Sequence, residues 1–143
     1  MSDSDPVRIT DLKGLPETLG YATTIFEDRT ETVLDLDRRH ANRNGRVHDG
    51  VHATILDACM GFAASAAFAK AEGGEAATTD VVTLTLTTNY TGATDSNRIV
   101  ATGRVSRHGR SIAFASGEVR DDDGVLLATG TASFKRTRKV GGR

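Results

Sequence analysis

Residues 51–69 read VHATILDACMGFAASAAFA, the most apolar stretch of the chain. Asp57 is the only side chain in it that carries a charge at neutral pH, although His52 can titrate. An unpaired carboxylate in hydrocarbon costs several kcal/mol or more, so such groups are paired, protonated or used. The plainest reading is a carboxylate satisfied by a nearby backbone or hydroxyl donor. The segment as a whole predicts one long helix over Val51–Lys70. Its small residues (Ala53, Ala58, Gly61, Ala63, Ala64, Ala67) allow close approach on nearly every side, as in a helix wrapped by a sheet.

Moving outward, residues 38–50 turn polar, and Asn42, Asn44, Gly45 and Gly50 mark a loop. Before it, Tyr21–Phe26 and Thr30–Leu36 read as a hairpin or one long bent strand. Ile9–Leu19 reads as a short helix broken or reset at Pro16. Beyond the helix, Gly73 and Gly74 end it, and the pattern changes to period two. Val82, Leu84, Leu86 and Tyr90 share one face, while Thr83, Thr85, Thr87 and Asn89 share the other. Strict alternation therefore turns Thr83 away from the face of Val82 and Leu84. Residues 98–106, 112–120 and 126–134 follow as strands, with turns at Arg107–Arg110 and Asp121–Gly124. The fold class is α+β: an antiparallel sheet curled around one central helix.

The chain has 143 residues, read as a single domain over 1–136 with a basic, glycine-ended tail at 137–143. A formal charge of −1 gives no electrostatic support to nucleic-acid or anionic-membrane binding. A membrane span is disfavoured by Asp57 and His52 within the apolar run. The single cysteine, Cys59, cannot form an intramolecular disulfide and reads as a small core residue, which fits a reducing cytoplasm. The opening MSDSDPVRIT is unlike a secretory signal. His40, His48 and His52 are loosely grouped, with no cysteine pair or His-Glu-x-x-His pattern, so no metal site is expected.

Asp49 and Gly50 fall where the helix begins. Their backbone N–H groups, with the helix dipole behind them, suit a carbonyl oxygen gaining negative charge; Asp49 could equally be only an N-cap. Asp57 lies eight residues on, about 12 Å along the axis. A base or nucleophile and an oxyanion donor must both reach atoms of one reacting group within about 3 Å. One helix cannot supply both, but two antiparallel copies could. Chemistry using both positions therefore needs a dimer.

The run NRNGRVHDGVHATILDACMG (residues 42–61) resembles the signature of hotdog-fold acyl-CoA thioesterases. The resemblance is to the phenylacetate-pathway group, with its Asn-x-x-Gly-x-x-His-Gly-Gly and an Asp further along the helix. It continues through the Thr-rich strand ending at Tyr90, the turn at Arg107–Arg110 and the alternating strand from Gly124 to Phe134. It implies a hotdog fold paired into homodimers and often tetramers, acting on an acyl-CoA substrate without a cofactor. Position by position, it makes Asp57 the general base or nucleophile. Asn42 holds the thioester carbonyl or a water, the Asp49 N–H polarises the carbonyl, and the Thr83 hydroxyl orients water. Asn42 and Asp49 come from one subunit, Asp57 and Thr83 from the other. His48, beside Gly50, shapes the turn into the helix, and Arg107 and Arg110, with Arg104, are candidate phosphate contacts. One departure stands out: Asp49 occupies a usual glycine position, and its carboxylate would repel developing negative charge. A non-catalytic acyl-CoA binding protein on the same scaffold is the alternative.

Overall fold

In a computed structural model, which describes residues 5–11 and 13–137, the central helix α2 runs Asp49–Glu72. It is two residues longer at each end than the apolar run suggests. At its start His48, in extended conformation, is the N-cap: its ring Nδ1 accepts the Gly50 N–H at 2.8 Å. Asp49 is therefore not the cap but the first helical residue, where an acidic side chain favours the helix dipole. At its end Gly73 takes φ 71°, and its N–H bonds the Lys70 carbonyl, closing the last turn.

Among the described residues seven strands form one antiparallel sheet: β1 (Val7–Arg8), β2 (Ala22–Ile25), β3 (Thr30–Asp35), β4 (Val81–Tyr90), β5 (Arg98–His108), β6 (Ile112–Asp121) and β7 (Leu126–Arg136). Their spatial order is β1-β2-β3-β5-β6-β7-β4. Every strand from β2 to β7 contacts α2, so the sheet wraps the helix as its composition foretold. Ile55, Leu56, Met60 and Phe68 of α2 are buried with Leu34, Ile99, Leu127 and Phe134 of the sheet, each large side chain contributing roughly 1.5–3 kcal/mol. Two glycines let sheet and helix meet. A Cβ at Gly103 would lie 3.0 Å from both the backbone carbon and Sγ of Cys59. One at Gly117 would lie 2.9 Å from the Thr102 carbonyl oxygen and 3.3 Å from Leu56 and Met60. Polar groups inside are satisfied locally: the Thr23 and Thr32 hydroxyls pair at 2.8 Å, and Thr30 donates to the Cys59 carbonyl.

The N-terminal region differs from the expected helix over Ile9–Leu19. Among the described residues of that span only Leu15–Leu19 is helical (α1), and Pro16 sits in its first turn, where a missing N–H costs nothing. Val7–Arg8 instead pairs with Thr24–Ile25. The strands after α2 do not simply follow one another across the sheet. β4 pairs with β7, and residues 91–97 carry the chain to β5. β4 is thereby left at the sheet margin, its outer side unpaired among the described residues. The expected basic tail, beyond Thr137, lies outside the described residues.

Candidate active site

Asp57 is half-buried on the α2 flank that faces β4, and the Thr83 hydroxyl donates to its Oδ1 at 2.8 Å. Alternation alone would not have brought Thr83 there together with Leu86 and Tyr90. The register of β4 against β7 shifts between Thr83 and Thr85, a β-bulge that reverses side-chain parity. Before the bulge Val81 packs on the core and Thr83 meets Asp57; after it Leu86 packs on the core and Tyr90 meets α2. Val82 and Leu84 are left 47% and 51% exposed, and Thr85 bonds Ser133 at 2.6 Å.

A cleft of about 290 Å³ opens beside this pair, lined by Ala58, Gly61, Phe62, Val81 and Phe134 as well as Asp57 and Thr83. Its wall near Thr79 is held by Ser65, which accepts the Thr79 N–H at 2.8 Å and donates to the Thr79 carbonyl. A larger cleft, about 640 Å³, runs between the C-terminal half of α2 and the β2–β3 hairpin. It includes neither Asp57 nor Asp49, so size and chemistry part company in this molecule. Among the described residues no three His, Cys, Asp or Glu side chains gather closely enough to hold a metal ion. Burial pushes the Cys59 thiol up to about 12, which leaves it protonated and unfit as a nucleophile.

The helix start sorts its donors. The Gly50 N–H is taken by His48 Nδ1, and the Val51 N–H by the His48 carbonyl at 2.9 Å. Among the described residues the Asp49 N–H meets no acceptor. Gly50 has a local reason: a Cβ there would approach His48 Nδ1 to 3.0 Å. The preceding loop is braced by His40, buried, with Nδ1 accepting from the Asp37 N–H and Nε2–H directed at the Leu19 carbonyl. The His40 carbonyl accepts the His48 N–H at 2.8 Å. Within the loop Asn42 Oδ1 accepts from the N–H groups of Asn44 and Arg46, at 2.9 and 3.1 Å. Its side-chain carbonyl is thus committed to the turn, while its NH2 donors meet no partner among the described residues.

Tyr90, which the sequence did not single out for the site, joins it beside His52, whose place one helical turn beyond Asp49 suggests pairing with that carboxylate. The Tyr90 hydroxyl donates to the Asp49 carbonyl at 3.1 Å, and its ring lies 6.2 Å from that of His52. His52 is buried, and its Nδ1 meets no partner among the described residues. Burial lowers its pKa, and the Asp49 carboxylate pulls it the other way. Tyr90 was legible only as one residue on an apolar face, because the bulge that turns it toward α2 leaves no mark in the alternation. Arg107 and Arg110 lie exposed at the β5–β6 turn. That turn sits beside the C-terminal half of α2, where His108 meets Phe68 edge-to-face at 5.7 Å.

One copy of the chain thus holds two half-constellations. Asp57 and Thr83 share the cleft; Asn42 and the Asp49 N–H belong to the helix start and are not among its walls. Their members on α2, Asp49 and Asp57, lie eight residues apart, about 12 Å along its axis.

The sequence profile of the thioesterase superfamily matches residues 44–128. The chain is similar in structure to the thioesterase HI1161 of Haemophilus influenzae, with TM-score 0.76 and 18% identity over 92% of this chain and 87% of that one. It is also similar to the BH2602 protein of Bacillus halodurans crystallised with CoA, with TM-score 0.71 and 25% identity over 88% and 80% of the two chains. The conserved protein PA5202 of Pseudomonas aeruginosa gives TM-score 0.73 and 26% identity over 90% and 95%. No curated protein matches in sequence.

Proposed function

Since the chain belongs to the thioesterase superfamily and has its hotdog-type fold, we propose that it is an acyl-CoA thioesterase of the phenylacetate-pathway type, working as a homodimer with sites shared between subunits. The observation that carries this reading is the division of labour on α2. A carboxylate ordered by a hydroxyl lies in mid-helix, and at the helix start lies an N–H that meets no acceptor among the described residues. In an antiparallel pair of helices, Asp57 of one copy can face the Asp49 N–H of the other. β4 suits such a pairing: its outer backbone groups are unpaired among the described residues, and Val82 and Leu84 expose apolar surface beside them. Pairing of dimers into tetramers is a further step of the same proposal.

In the mechanism, Asp57 takes a proton from a water held by Thr83, and that water adds to the thioester carbonyl. The oxygen, now negative, rests against the Asp49 N–H, with Asn42 Nδ2 as a second donor. Collapse breaks the carbon–sulfur bond, and the leaving thiolate recovers the proton from Asp57, giving free acid and CoA thiol. Direct attack by Asp57, through an anhydride that water then opens, uses the same atoms. The nucleotide of CoA would lie toward Arg107 and Arg110. The buried, reduced Cys59 is in keeping with a cytoplasmic home.

The test is thiol release from a panel of acyl-CoA esters by the wild type, Asp57→Asn and Asp49→Gly. Turnover by the wild type that collapses in Asp57→Asn supports the assignment; full activity in Asp57→Asn would overturn it. One observation favours a second reading, an acyl-CoA binding protein that does not hydrolyse: the Asp49 carboxylate stands beside the donor N–H. Binding without thiol release in both wild type and Asp49→Gly would select that reading. A gain in Asp49→Gly would instead show that the carboxylate restrains an active enzyme.

A further inference from the structure

Glycine in mid-helix weakens the helix, so it persists where something needs the room a Cβ would take. Gly61 lies one turn beyond Asp57, and the chain's own packing does not require it. A Cβ there would sit 3.4 Å from Phe134 Cε1 and 3.9 Å from Cζ, which is ordinary contact. Its φ is not in the left-handed region. The contrast is with Gly103, where a Cβ would press on the Cys59 backbone. Gly61 lines the cleft that holds Asp57 and Thr83, together with Phe62 and Phe134.

We propose that Gly61 is a specificity-determining residue that admits acyl groups bulky close to the reacting carbonyl. This rests on the hydrolase reading above and adds to it the residue that selects the substrate. Residues four apart on a helix are surface neighbours, about 5–6 Å between side-chain positions. A group at position 61 therefore meets the first few atoms of an acyl chain whose carbonyl is at Asp57. Acyl groups with a ring or branch at those atoms need the space; a two-carbon acyl group does not. Farther along, the Ser65–Thr79 junction bounds the same cleft, and both of its hydrogen bonds are internal.

The experiment compares benzoyl-CoA with acetyl-CoA on wild type, Gly61→Ala and Gly61→Val. Melting temperature and oligomeric state are measured for each variant. Calorimetric binding of both esters is measured in parallel on Asp57→Asn with and without Gly61→Val. Gly61→Val should lower kcat/KM for benzoyl-CoA by about 10-fold or more and change acetyl-CoA by less than about 3-fold, the scale of a methylene-sized obstruction in a pocket. Gly61→Ala should fall between, with a melting temperature at or above that of wild type. Equal losses on both esters, or no loss on either, would overturn the proposal. So would a change of oligomeric state, which would assign Gly61 to contact between copies. If no ester is hydrolysed but binding still discriminates, the size gate stands and the hydrolase reading falls; if hydrolysis persists without discrimination, the reverse holds.

Discussion

On the flank of α2 that faces β5 and β6, glycines are spent on contact, whereas on the flank that faces β4 a glycine leaves space. At Gly103 and Gly117 a methyl group would meet backbone atoms at 3.0 and 2.9 Å. At Gly61 the same methyl group finds ordinary contact on one side and a cleft of about 290 Å³ on the other. The same residue type thus answers two demands, close packing of sheet on helix and an opening beside a carboxylate. Substitutions on the first flank should read out as stability, and on the second as activity.

The largest effect should come from the open flank. Asp57→Asn is expected to lower kcat by about 10²–10⁴-fold, the usual contribution of a positioned base, with little change in melting temperature. If stability fell as far as activity, the two flanks would not be separable. Gly103→Val attacks the filled flank. Overpacking there should cost roughly 1–3 kcal/mol, read as a melting temperature lower by about 3 °C for each kcal/mol. Retention of full stability would mean that α2 and β5 can part more easily than their contact implies. Thr83→Val returns to the open flank, removing the hydroxyl from Asp57 and keeping the shape; kcat should drop by roughly tenfold, the worth of one hydrogen bond to a charged group, while the melting curve stays in place.

The smallest effect concerns His52, near the helix start. Burial lowers its pKa in the folded state, so below about 6.5 the unfolded chain takes up a proton that the folded chain resists. Its contribution to stability is therefore complete above that pH and is lost as pH falls toward the folded-state pKa. Melting temperature measured from pH 7.5 to 5 should decline less steeply in His52→Phe than in wild type. An unchanged slope would show that His52 does not titrate against folding.

Much of this arrangement was legible in the residues. The apolar run with its small side chains announced a helix that other elements could approach closely, and the alternation of β5, β6 and β7 carried through to their pairing. Asp57 stood out because a charge among so many apolar neighbours needs a partner. Its partner, Thr83, was harder to orient. A bulge of one residue reverses the facing of a strand, and nothing in VVTLTLTTNY says where it falls. The placement of β4 beside β7 was hidden for a related reason: neighbours in sequence need not be neighbours in a sheet when residues 91–97 can carry the chain across. Of the two roles left open for Asp49, the cap falls instead to His48, because an imidazole nitrogen can accept the N–H that a carboxylate usually takes. Asn42 was marked correctly as a loop residue, but its carbonyl works inside its own turn, a local closure that spacing does not reveal.

The tie between Tyr90 and the Asp49 carbonyl gives the marginal strand a character of its own. A strand with one free side ordinarily frays, yet β4 is moored by Thr83 toward its beginning and by Tyr90 at its end. Each mooring reaches a different part of the same helix, so peeling the strand away would disturb carboxylate and donor amide together. This margin is therefore also a splint, keeping the two halves of the chemistry at a fixed separation.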